Sequence, residues 1–445
     1  MKIIFLENRE KTFFWDAIAK KLEIDNHKIF WIIQNHAYKP KYGKKNFIKY
    51  PFKKDLIELD HDDIKLNDIL SSDRMFNYFN SNGSHYKYYQ KQILKILKNI
   101  KPDIVFGEST LFHELITIHI CKKMNVPYYN PQSSSYPPNS FLFYKYDSKL
   151  RVEIPNETYP YKDYENIIRK MEEKKLKIDY MVRNKKNRLL SQILRRLKQI
   201  FEYLIGEKYN TPGLYRKLYM NYKRRKNIEK WNKLAIKLQD IKQNKKILFY
   251  PMQQQPEANI DVWGKKYQDQ AKLIYKLKKN LPRNWELVIK SNPKRRYEIS
   301  DKLIKIMQNN EIIALDSKTK MDDILKKVDL IVSNTGTISY EAIFWEKPII
   351  NLTRSISDNQ PGTFKLDKYE NLHKILKIVE NEEFLTANFE DKVQFMKKMS
   401  LNTFDGSIGD PVHNENCLDK QNIAKVVDGF RSILKKINNF QYEVI

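Results

Sequence analysis

The chain of 445 residues has little cysteine, little glycine and no long apolar run. Its two cysteines, Cys121 and Cys417, are too few and too far apart for a disulfide framework or a zinc site, which favours a reducing compartment. No stretch approaches the roughly 20 apolar residues of a membrane span. The apolar start MKIIFL is too short for a signal peptide. The sequence therefore predicts a cytoplasmic protein.

Positive charge is what the chain has in excess, since 82 Lys or Arg against 54 Asp or Glu give a net charge of +28. Such a charge indicates nucleic acid, an anionic membrane surface or an acidic small substrate as partner. A lysine-rich genome is the alternative explanation. The stretch from Met181 to Lys246 is the most basic, with 20 Lys or Arg and 4 Asp or Glu.

Strand-like and helix-like stretches alternate twice along the chain. The first series has the strands KIIFL, HKIFWII, DIVFG and VPYYN, and the second has ILFYP, ELVIK, IIALD, LIVSN and PIINL. This alternation predicts an α/β fold of two Rossmann-like lobes facing each other across a central cleft. We place the lobes at residues 1–145 and 246–420, a basic helical segment at 146–245 and a C-terminal helix at 421–445.

The basic segment contains an amphipathic helix. Its apolar face comprises Leu189, Leu190, Ile193, Leu194, Leu197, Ile200, Phe201, Leu204 and Ile205, and Lys and Arg occupy the other face. A helix of this kind suits the surface of an anionic membrane. The alternative is a helix whose apolar face packs on one of the lobes.

Polar residues follow three strands of the second series. Ser333, Asn334, Thr335, Gly336 and Thr337 lie between LIVS and a helical pattern, where backbone N–H groups and hydroxyls can hold a phosphate. N-capping of the following helix would explain one Ser, Thr or Asn at this place, but it does not explain four of them. QQQPE, with Gln255 and Glu257, follows ILFYP, and SNPKRR follows ELVIK. We expect these residues to contact a sugar, a base or a phosphate.

The order of these motifs resembles that of bacterial GT-B glycosyltransferases of the capsule and surface-polysaccharide biosynthesis group. This group includes Kdo transferases and is distantly similar to sialyltransferases. The resemblance runs from Ile247 to Leu352 through QQPE, VIKxxP, SNTGTxxYEA and KPIIN. It implies a transferase that moves an acidic sugar, such as Kdo or a nonulosonic acid, from a CMP-linked donor onto a growing capsule or lipopolysaccharide. The lobe at residues 1–145 would bind the acceptor, and the lobe at 246–420 would bind the nucleotide-sugar donor. The acceptor would be lipid-linked or an oligosaccharide, the enzyme would sit at the inner membrane surface, and no cofactor beyond the nucleotide-sugar co-substrate is implied.

The resemblance also implies which residues bind the donor. Gln255 and Glu257 would lie at the donor pocket, Pro293 would mark the His-Pro site, and Ser333, Thr335 and Thr337 would form the Ser/Thr motif. The predicted donor-binding set also includes Lys290, Asn292, Arg295, Asn334, Gly336 and Glu341. Asn292 stands where the family has the histidine of a His-Pro motif, and asparagine cannot carry charge. Either Lys290, Arg295 and Arg296 supply the positive charge, or the donor differs from the CMP-sugars.

Glycosyl transfer also needs a base for the acceptor hydroxyl. Glu108 follows the strand DIVFG and is the first candidate, with His113 as the second. Capping of the next helix is the alternative role of Glu108. Asp60-His61-Asp62 matches the Asp-x-Asp metal site of other glycosyltransferases, but it lacks a strong preceding strand and we interpret it as a solvated loop. We predict turnover without a bound metal.

Two other functions stay open at this stage. A UDP-sugar-dependent transferase or epimerase has the same two-lobed architecture. A basic nucleic-acid-binding protein would explain the net charge of +28, but the charge is concentrated between the lobes and no recognition motif is present. We therefore expect no nucleic-acid partner.

Overall fold

A computed structural model describes residues 1–60, 63–153, 163–173, 188–242, 244–294 and 297–443 of the chain. The strands in these ranges are β1 Lys2–Leu6, β2 Lys28–Ile33, β3 Lys44–Phe47, β4 Ile104–Phe106, β5 Tyr128–Ser133, β6 Ser140–Lys145, β7 Lys246–Pro251, β8 Trp285–Lys290, β9 Ile313–Leu315, β10 Leu330–Ser333, β11 Ile349–Asn351, β12 Thr363–Lys365 and β13 Thr403–Asp405.

The helices alternate with these strands along most of the chain. They are α1 Thr12–Ile24, α2 Ile64–Leu70, α3 Arg74–Phe79, α4 Tyr86–Ile100, α5 Phe112–Lys123, α6 Tyr164–Glu172, α7 Arg188–Leu204, α8 Leu214–Leu234, α9 Gln270–Lys279, α10 Asp301–Asn309, α11 Met321–Lys327, α12 Ile338–Phe344, α13 Leu372–Glu380, α14 Phe389–Ser400 and α15 Lys420–Glu443. No described helix is long and apolar enough to cross a membrane.

The chain divides into two compact units. Unit 1 comprises residues 1–163, 173–214 and 400–445, and unit 2 comprises residues 164–172 and 215–399. The sequence-based ranges differ from these in two places. Residues 400–420 belong to unit 1, because β13 pairs with β6, and most of α8 belongs to unit 2, because the indole nitrogen of Trp231 donates to the carbonyl of Leu315 at 3.2 Å.

Unit 1 is built on a seven-stranded sheet in the order β13-β6-β5-β4-β1-β2-β3. The five strands from β5 to β3 are parallel, whereas β6 and β13 are antiparallel additions at one edge. β1 and β4 are buried apolar runs, as expected of parallel strands covered on both faces. Phe430 of α15 completes the core, with its ring centroid 4.7 Å from that of Phe106 and 5.0 Å from that of Phe143.

Unit 2 has a six-stranded, wholly parallel sheet in the order β12-β11-β10-β7-β8-β9. Two apolar cores cover its two faces, one around Leu248 and Leu287 and the other around Phe249 and Val288. Read from β9 outward, the sheet has the Rossmann strand order 3-2-1-4-5-6, and the parallel strands of unit 1 follow the same order. The predicted fold class, an α/β protein with two Rossmann-like lobes as in the GT-B fold, is therefore confirmed.

Candidate functional site

In unit 2 the strands end along one row of residues. The register places Leu315 of β9 beside Lys290 of β8, Lys290 beside Pro251 of β7, and Ser333 of β10 beside Asn351 of β11. The chain passes from β7 to β8 and β9 on one side of the sheet and uses β10 and β11 on the other. The topological switch point therefore lies between the carboxyl ends of β7 and β10, where open α/β sheets bind ligands.

The segments that follow β7 and β10 are joined at this switch point. The hydroxyl of Thr335 donates to the Gln253 side-chain oxygen at 2.9 Å and to the Asn259 carbonyl at 2.6 Å. The amide of Asn334 donates to the Gly264 carbonyl at 3.1 Å. A Cβ atom at position 264 would lie 2.4 Å from Asn334 Nδ2, so this close approach requires glycine.

Several buried polar atoms at the strand ends have no hydrogen-bond partner among the described residues. They are Ser291 Oγ, Ser333 Oγ, Asn334 Oδ1 and Asn351 Oδ1. Buried polar atoms in native proteins are almost always paired, so these four are available to hydrogen-bond a polar ligand or water. Gly336 lies beside Gln253, since a Cβ atom at position 336 would be 3.2 Å from Gln253 Nε2.

Lys290 adds positive charge to the same row of strand ends. Its side chain is 5% exposed, and burial lowers its pKa while the charge of Asp316 opposes that shift. Within the described part of the chain no carboxylate lies within ion-pair distance of its ammonium. A buried ammonium without a paired anion is costly, so a bound anion at this position would be stabilised.

Gln255 and Glu257 lie in a hydrogen-bond network of unit 2, in which both side-chain polar atoms of Gln255 have partners. Gln255 Nε2 donates to Asp261 Oδ1 at 3.1 Å and to the Gln268 carbonyl at 3.0 Å, and Gln255 Oε1 accepts from Gln270 Nε2 at 3.0 Å. The backbone N–H of Glu257 donates to Asp261 Oδ2 at 2.9 Å. Gln255 therefore shapes the loop after β7, and its place in the donor site stays a prediction.

Gln270 organises this loop and is not found by sequence reasoning. Its side-chain oxygen accepts from the Tyr250 hydroxyl and from the backbone N–H of Gln253, each at 2.9 Å. Its side-chain nitrogen donates to the Gln253 carbonyl at 2.9 Å. Gln270 is the first residue of α9, where glutamine has no distinctive sequence signal.

The segment that follows β8 is partly exposed. Asn292 is partly exposed and its side-chain oxygen accepts from the backbone N–H of Lys294 at 3.0 Å, while Pro293 is exposed. Arg295 and Arg296 lie outside the described residues.

Thr337 precedes α12, but its hydroxyl donates to Glu341 Oε1 at 2.9 Å and does not cap the helix. Burial raises the pKa of Glu341, which the hydrogen bond from Thr337 opposes.

In unit 1 the corresponding switch point lies between β1 and β4. Phe5 of β1 is in register with Phe106 of β4, so Glu7 and Glu108 follow at the same level on neighbouring strands. Glu108 is 8% exposed, and its carboxylate accepts from the ammonium of Lys11 and from Asn8 Nδ2. It does not cap α5. That role belongs to Glu114, whose carboxylate accepts from the N–H of Leu111 at 2.9 Å and lies within the helix.

Glu7 is a buried carboxyl that sequence reasoning missed. Burial raises its pKa to about 8, although the backbone N–H groups of Asn35 and Arg9 donate to it at 2.9 and 2.6 Å. The rule that identified Glu108, a carboxylate directly after a buried strand, also applies to Glu7 after KIIFL. Asn35 is an amide that comes two residues after β2, so this rule does not find it.

His113, the second candidate base, is fully buried in unit 1. Its Nε2 lies 2.9 Å from the Glu7 carbonyl and its Nδ1 lies 3.3 Å from Asn210 Nδ2. Burial lowers its pKa to about 4, so the ring is neutral at pH 7. Both ring nitrogens have partners inside the unit, and the assignment of His113 as a base stays a prediction.

A segment from the basic stretch covers the carboxyl end of this sheet. Gln34 Nε2 donates to Glu207 Oε1 at 3.0 Å, and Asn210 Nδ2 donates to Gln34 Oε1 at 2.8 Å. Three buried polar atoms here also lack a hydrogen-bond partner among the described residues, namely Arg9 Nε, Glu207 Oε2 and Asn210 Oδ1. The segment is therefore part of the polar cluster at the switch point of unit 1.

Of the Asp-x-Asp sequence, the structure describes Asp60. Asp60 pairs with Lys87 at 3.0 Å, while His61 and Asp62 lie outside the described residues. In the described ranges no group of three or more His, Cys, Asp or Glu side chains is placed to hold a metal ion.

Comparison with known proteins gives distant structural likenesses only. No protein-family model and no curated protein matches the chain. KpsC of Thermosulfurimonas dismutans, a beta Kdo 2,7 transferase, is 10% identical over 98% of this chain and 100% of that chain, with a TM-score of 0.38. The S. aureus MnaA–UDP structure is 11% identical over 98% and 97%, with a TM-score of 0.29. UDP-GlcNAc 2-epimerase of Methanocaldococcus jannaschii with UDP-GlcNAc and UDP is 14% identical over 88% and 98%, also at 0.29. Likeness at this level does not define a family or an activity.

Proposed function

We propose that the chain is a glycosyltransferase that binds a nucleotide-sugar donor at the carboxyl end of the unit 2 sheet. The supporting observation is the set of unpartnered buried atoms at the ends of β8, β10 and β11 together with the buried ammonium of Lys290. A nucleotide-sugar complements this set, since its phosphate oxygens accept from hydroxyls and attract a cation. Its ribose and base N–H or O–H groups donate to an oxygen such as Asn334 Oδ1.

The donor that we propose is a CMP-linked acidic sugar such as Kdo or a nonulosonic acid, and the product is a bacterial capsule or lipopolysaccharide glycan. Support comes from the sequence order of the three motifs, which resembles that of the capsule transferases. The net charge of +28 agrees with an acidic sugar and a polyanionic product. The acceptor would then be a lipid-linked glycan or an oligosaccharide.

The transfer itself makes one C–O bond and breaks another at the anomeric carbon. The electron pair of the broken bond leaves with the nucleotide phosphate, whose charge Lys290 and the serine hydroxyls would offset. The acceptor hydroxyl gives up its proton as it attacks, and we assign that proton to the carboxylate of Glu108.

A thermal-shift screen with CMP, UDP and GDP tests the proposal. A nucleotide at 100 times its Kd raises the free energy of unfolding by about 2.7 kcal/mol if it binds only the folded state. We expect stabilisation by CMP, and a smaller shift in the Ser333→Ala variant. Stabilisation by UDP in place of CMP would make the protein a UDP-sugar transferase or epimerase. No stabilisation by any nucleotide would contradict the proposal.

A further inference from the structure

Helix α7 packs on unit 1 through its polar side chains. Glu202 is buried and its carboxylate accepts from Asn35 Nδ2 at 3.3 Å. Arg195 Nε lies 3.7 Å from Glu10 Oε1, and Lys198 Nζ lies 3.6 Å from the centroid of the Tyr38 ring. The helix therefore lies with its polar face toward the protein, the reverse of a normal surface helix.

The apolar face of α7 consequently points away from unit 1. Its side chains are at positions that share one helical face, and their exposed fractions are 49% for Ile193, 60% for Leu194, 58% for Leu197, 59% for Phe201 and 75% for Leu204. Large apolar side chains grouped in this way on a surface mark an interaction site. The expectation that this face packs on a lobe is not met by the described residues, and the side chains of Leu189 and Leu190 lie outside them.

The exposed charged side chains between Ile193 and Lys208 are positive. Arg196 and Lys208 are exposed, and the one acidic residue between Ile193 and Leu204 is the buried Glu202. Directly after the helix, Gly206 lies against the ring of Tyr50. Two residues beyond Tyr50 come Phe52, 72% exposed, and the exposed Lys53 and Lys54.

We propose that this face of α7 docks on an anionic lipid bilayer. The acyl region would take the leucine and phenylalanine side chains, and the phosphate headgroups would pair with Arg196 and the neighbouring lysines. A second copy of the chain is a poorer occupant, because a symmetric contact through this face would set Arg196 and the lysines against their own copies. This docking does not depend on which nucleotide unit 2 binds.

The basic side chains of α7 differ in whether they are available for contact with lipid. The sequence pattern places the basic side chains of the helix on the face opposite its apolar face, but Arg195 and Lys198 contact Glu10 and Tyr38 within unit 1. Arg196 is the cation of this part of α7 that remains exposed. Substitution of Arg195 or Lys198 therefore tests the packing of the helix on unit 1, whereas substitution of Arg196 tests its contact with lipid.

Co-sedimentation of the full chain with vesicles tests the proposal. Wild type should bind phosphatidylglycerol–phosphatidylcholine vesicles better than pure phosphatidylcholine, and less at raised salt. Combined Leu194→Gln, Leu197→Gln and Phe201→Gln should lower vesicle affinity by about tenfold or more, because several apolar side chains lose their transfer from water. The melting temperature should be unchanged, since these side chains are mostly exposed in the free protein.

A matched control places the same number of glutamines on other exposed apolar positions of unit 1, Ile24, Leu150 and Leu401, which are 65%, 48% and 41% exposed. This variant should bind vesicles as wild type does. Arg196→Gln should weaken binding to anionic vesicles and leave binding to neutral vesicles unchanged. Wild-type vesicle binding by the α7 triple variant would overturn the proposal, as would a wild-type dimer that the triple variant converts to a monomer without any lipid binding.

Discussion

The hydroxyl of Thr335 donates to the side-chain oxygen of Gln253 at 2.9 Å, across the switch point of the unit 2 sheet. This contact fixes the two loops that follow β7 and β10 relative to each other. Thr335 is thus held by the protein itself, whereas Ser333, two residues earlier, has a buried hydroxyl without a partner among the described residues. Of the two residues, Ser333 is the better probe of ligand binding.

Ser333→Ala should raise the Kd for the nucleotide by about tenfold, because a hydrogen bond to a charged group contributes about 1.5–3 kcal/mol. The melting temperature without ligand should not fall, since the hydroxyl has no protein partner to lose. Titration calorimetry and thermal unfolding measure the two quantities. Ser300→Ala is the matched control: Ser300 Oγ accepts from the N–H of Leu303 and caps α10, so this variant should lose about 1 kcal/mol of stability and keep its Kd. Unchanged affinity in Ser333→Ala would exclude that hydroxyl from the donor site.

Glu108→Gln should lower turnover by roughly 10²-fold or more while the donor Kd stays the same, because the amide cannot accept the acceptor's proton. Steady-state kinetics with donor and acceptor, together with donor titration, separate the two effects. Glu114→Gln serves as the comparison, since Glu114 accepts from backbone N–H groups at the start of α5. It should lower stability more than turnover. Near-normal turnover in Glu108→Gln would remove Glu108 from the mechanism and make His113 the next residue to substitute.

Glu7 should make the free energy of unfolding fall as pH rises. Its folded pKa of about 8 lies above the ordinary value of 4.5, so the folded state holds a proton that the unfolded state releases. The stabilisation is complete below about pH 4.5 and is lost as pH rises toward about 8. Glu7→Gln stays neutral throughout, so its stability relative to wild type should increase between pH 5 and 8. Equilibrium urea unfolding at several pH values measures this difference.

His113 Nε2 lies 3.8 Å from Glu7 Oε2, so the comparison is read above about pH 7, where the buried histidines are neutral in both the folded and the unfolded state. Burial lowers the pKa of His113 to about 4 and of His85 to about 3, so their contribution is lost as pH falls below the unfolded value of 6.5. This dependence has the opposite sign, and it is present in both proteins. A parallel pH dependence of wild type and Glu7→Gln would show that Glu7 is ionised in the folded protein.

EDTA should leave turnover unchanged, because Lys290 and the hydroxyls at the strand ends would offset the charge of the departing nucleotide. Lys290→Met should lower turnover, and added Mg²⁺ should not restore it. Lys302→Met is a suitable control, since Lys302 pairs with Asp269 at 2.5 Å on the surface of unit 2. Activity lost in EDTA and recovered with Mg²⁺ or Mn²⁺ would contradict a metal-independent mechanism.

The fold is readable from the sequence where strands are buried on both faces. β7, β8, β10 and β11 are continuous apolar runs, and their positions follow directly from that pattern. β3 is not predicted from the sequence, because its four residues, KKNF, include no buried side chain. The stretch 265–280 predicts one helix, but α9 begins at Gln270 because the Asp269 side chain accepts from the N–H of Lys272 and caps it there.

The candidate site is readable only in part. Strand-end position identifies Glu108 and Ser333, since the carboxyl ends of parallel strands meet at one edge of a sheet. It does not show that Gln255 is engaged by Gln270, because that contact joins residues 15 positions apart through the fold. The periodicity of α7 likewise gives its two faces, but Glu10 and Asn35, distant in sequence, decide which face is covered.

The position of α15 has a consequence for synthesis on the ribosome. Phe430 packs against Phe106 and Phe143, so the core of the unit that begins at residue 1 is completed by a helix near the end of the chain. All of unit 2 lies between residues 164 and 399 and therefore emerges first as a complete unit. The unit whose synthesis starts first therefore acquires its full core only after the whole of unit 2 has been made.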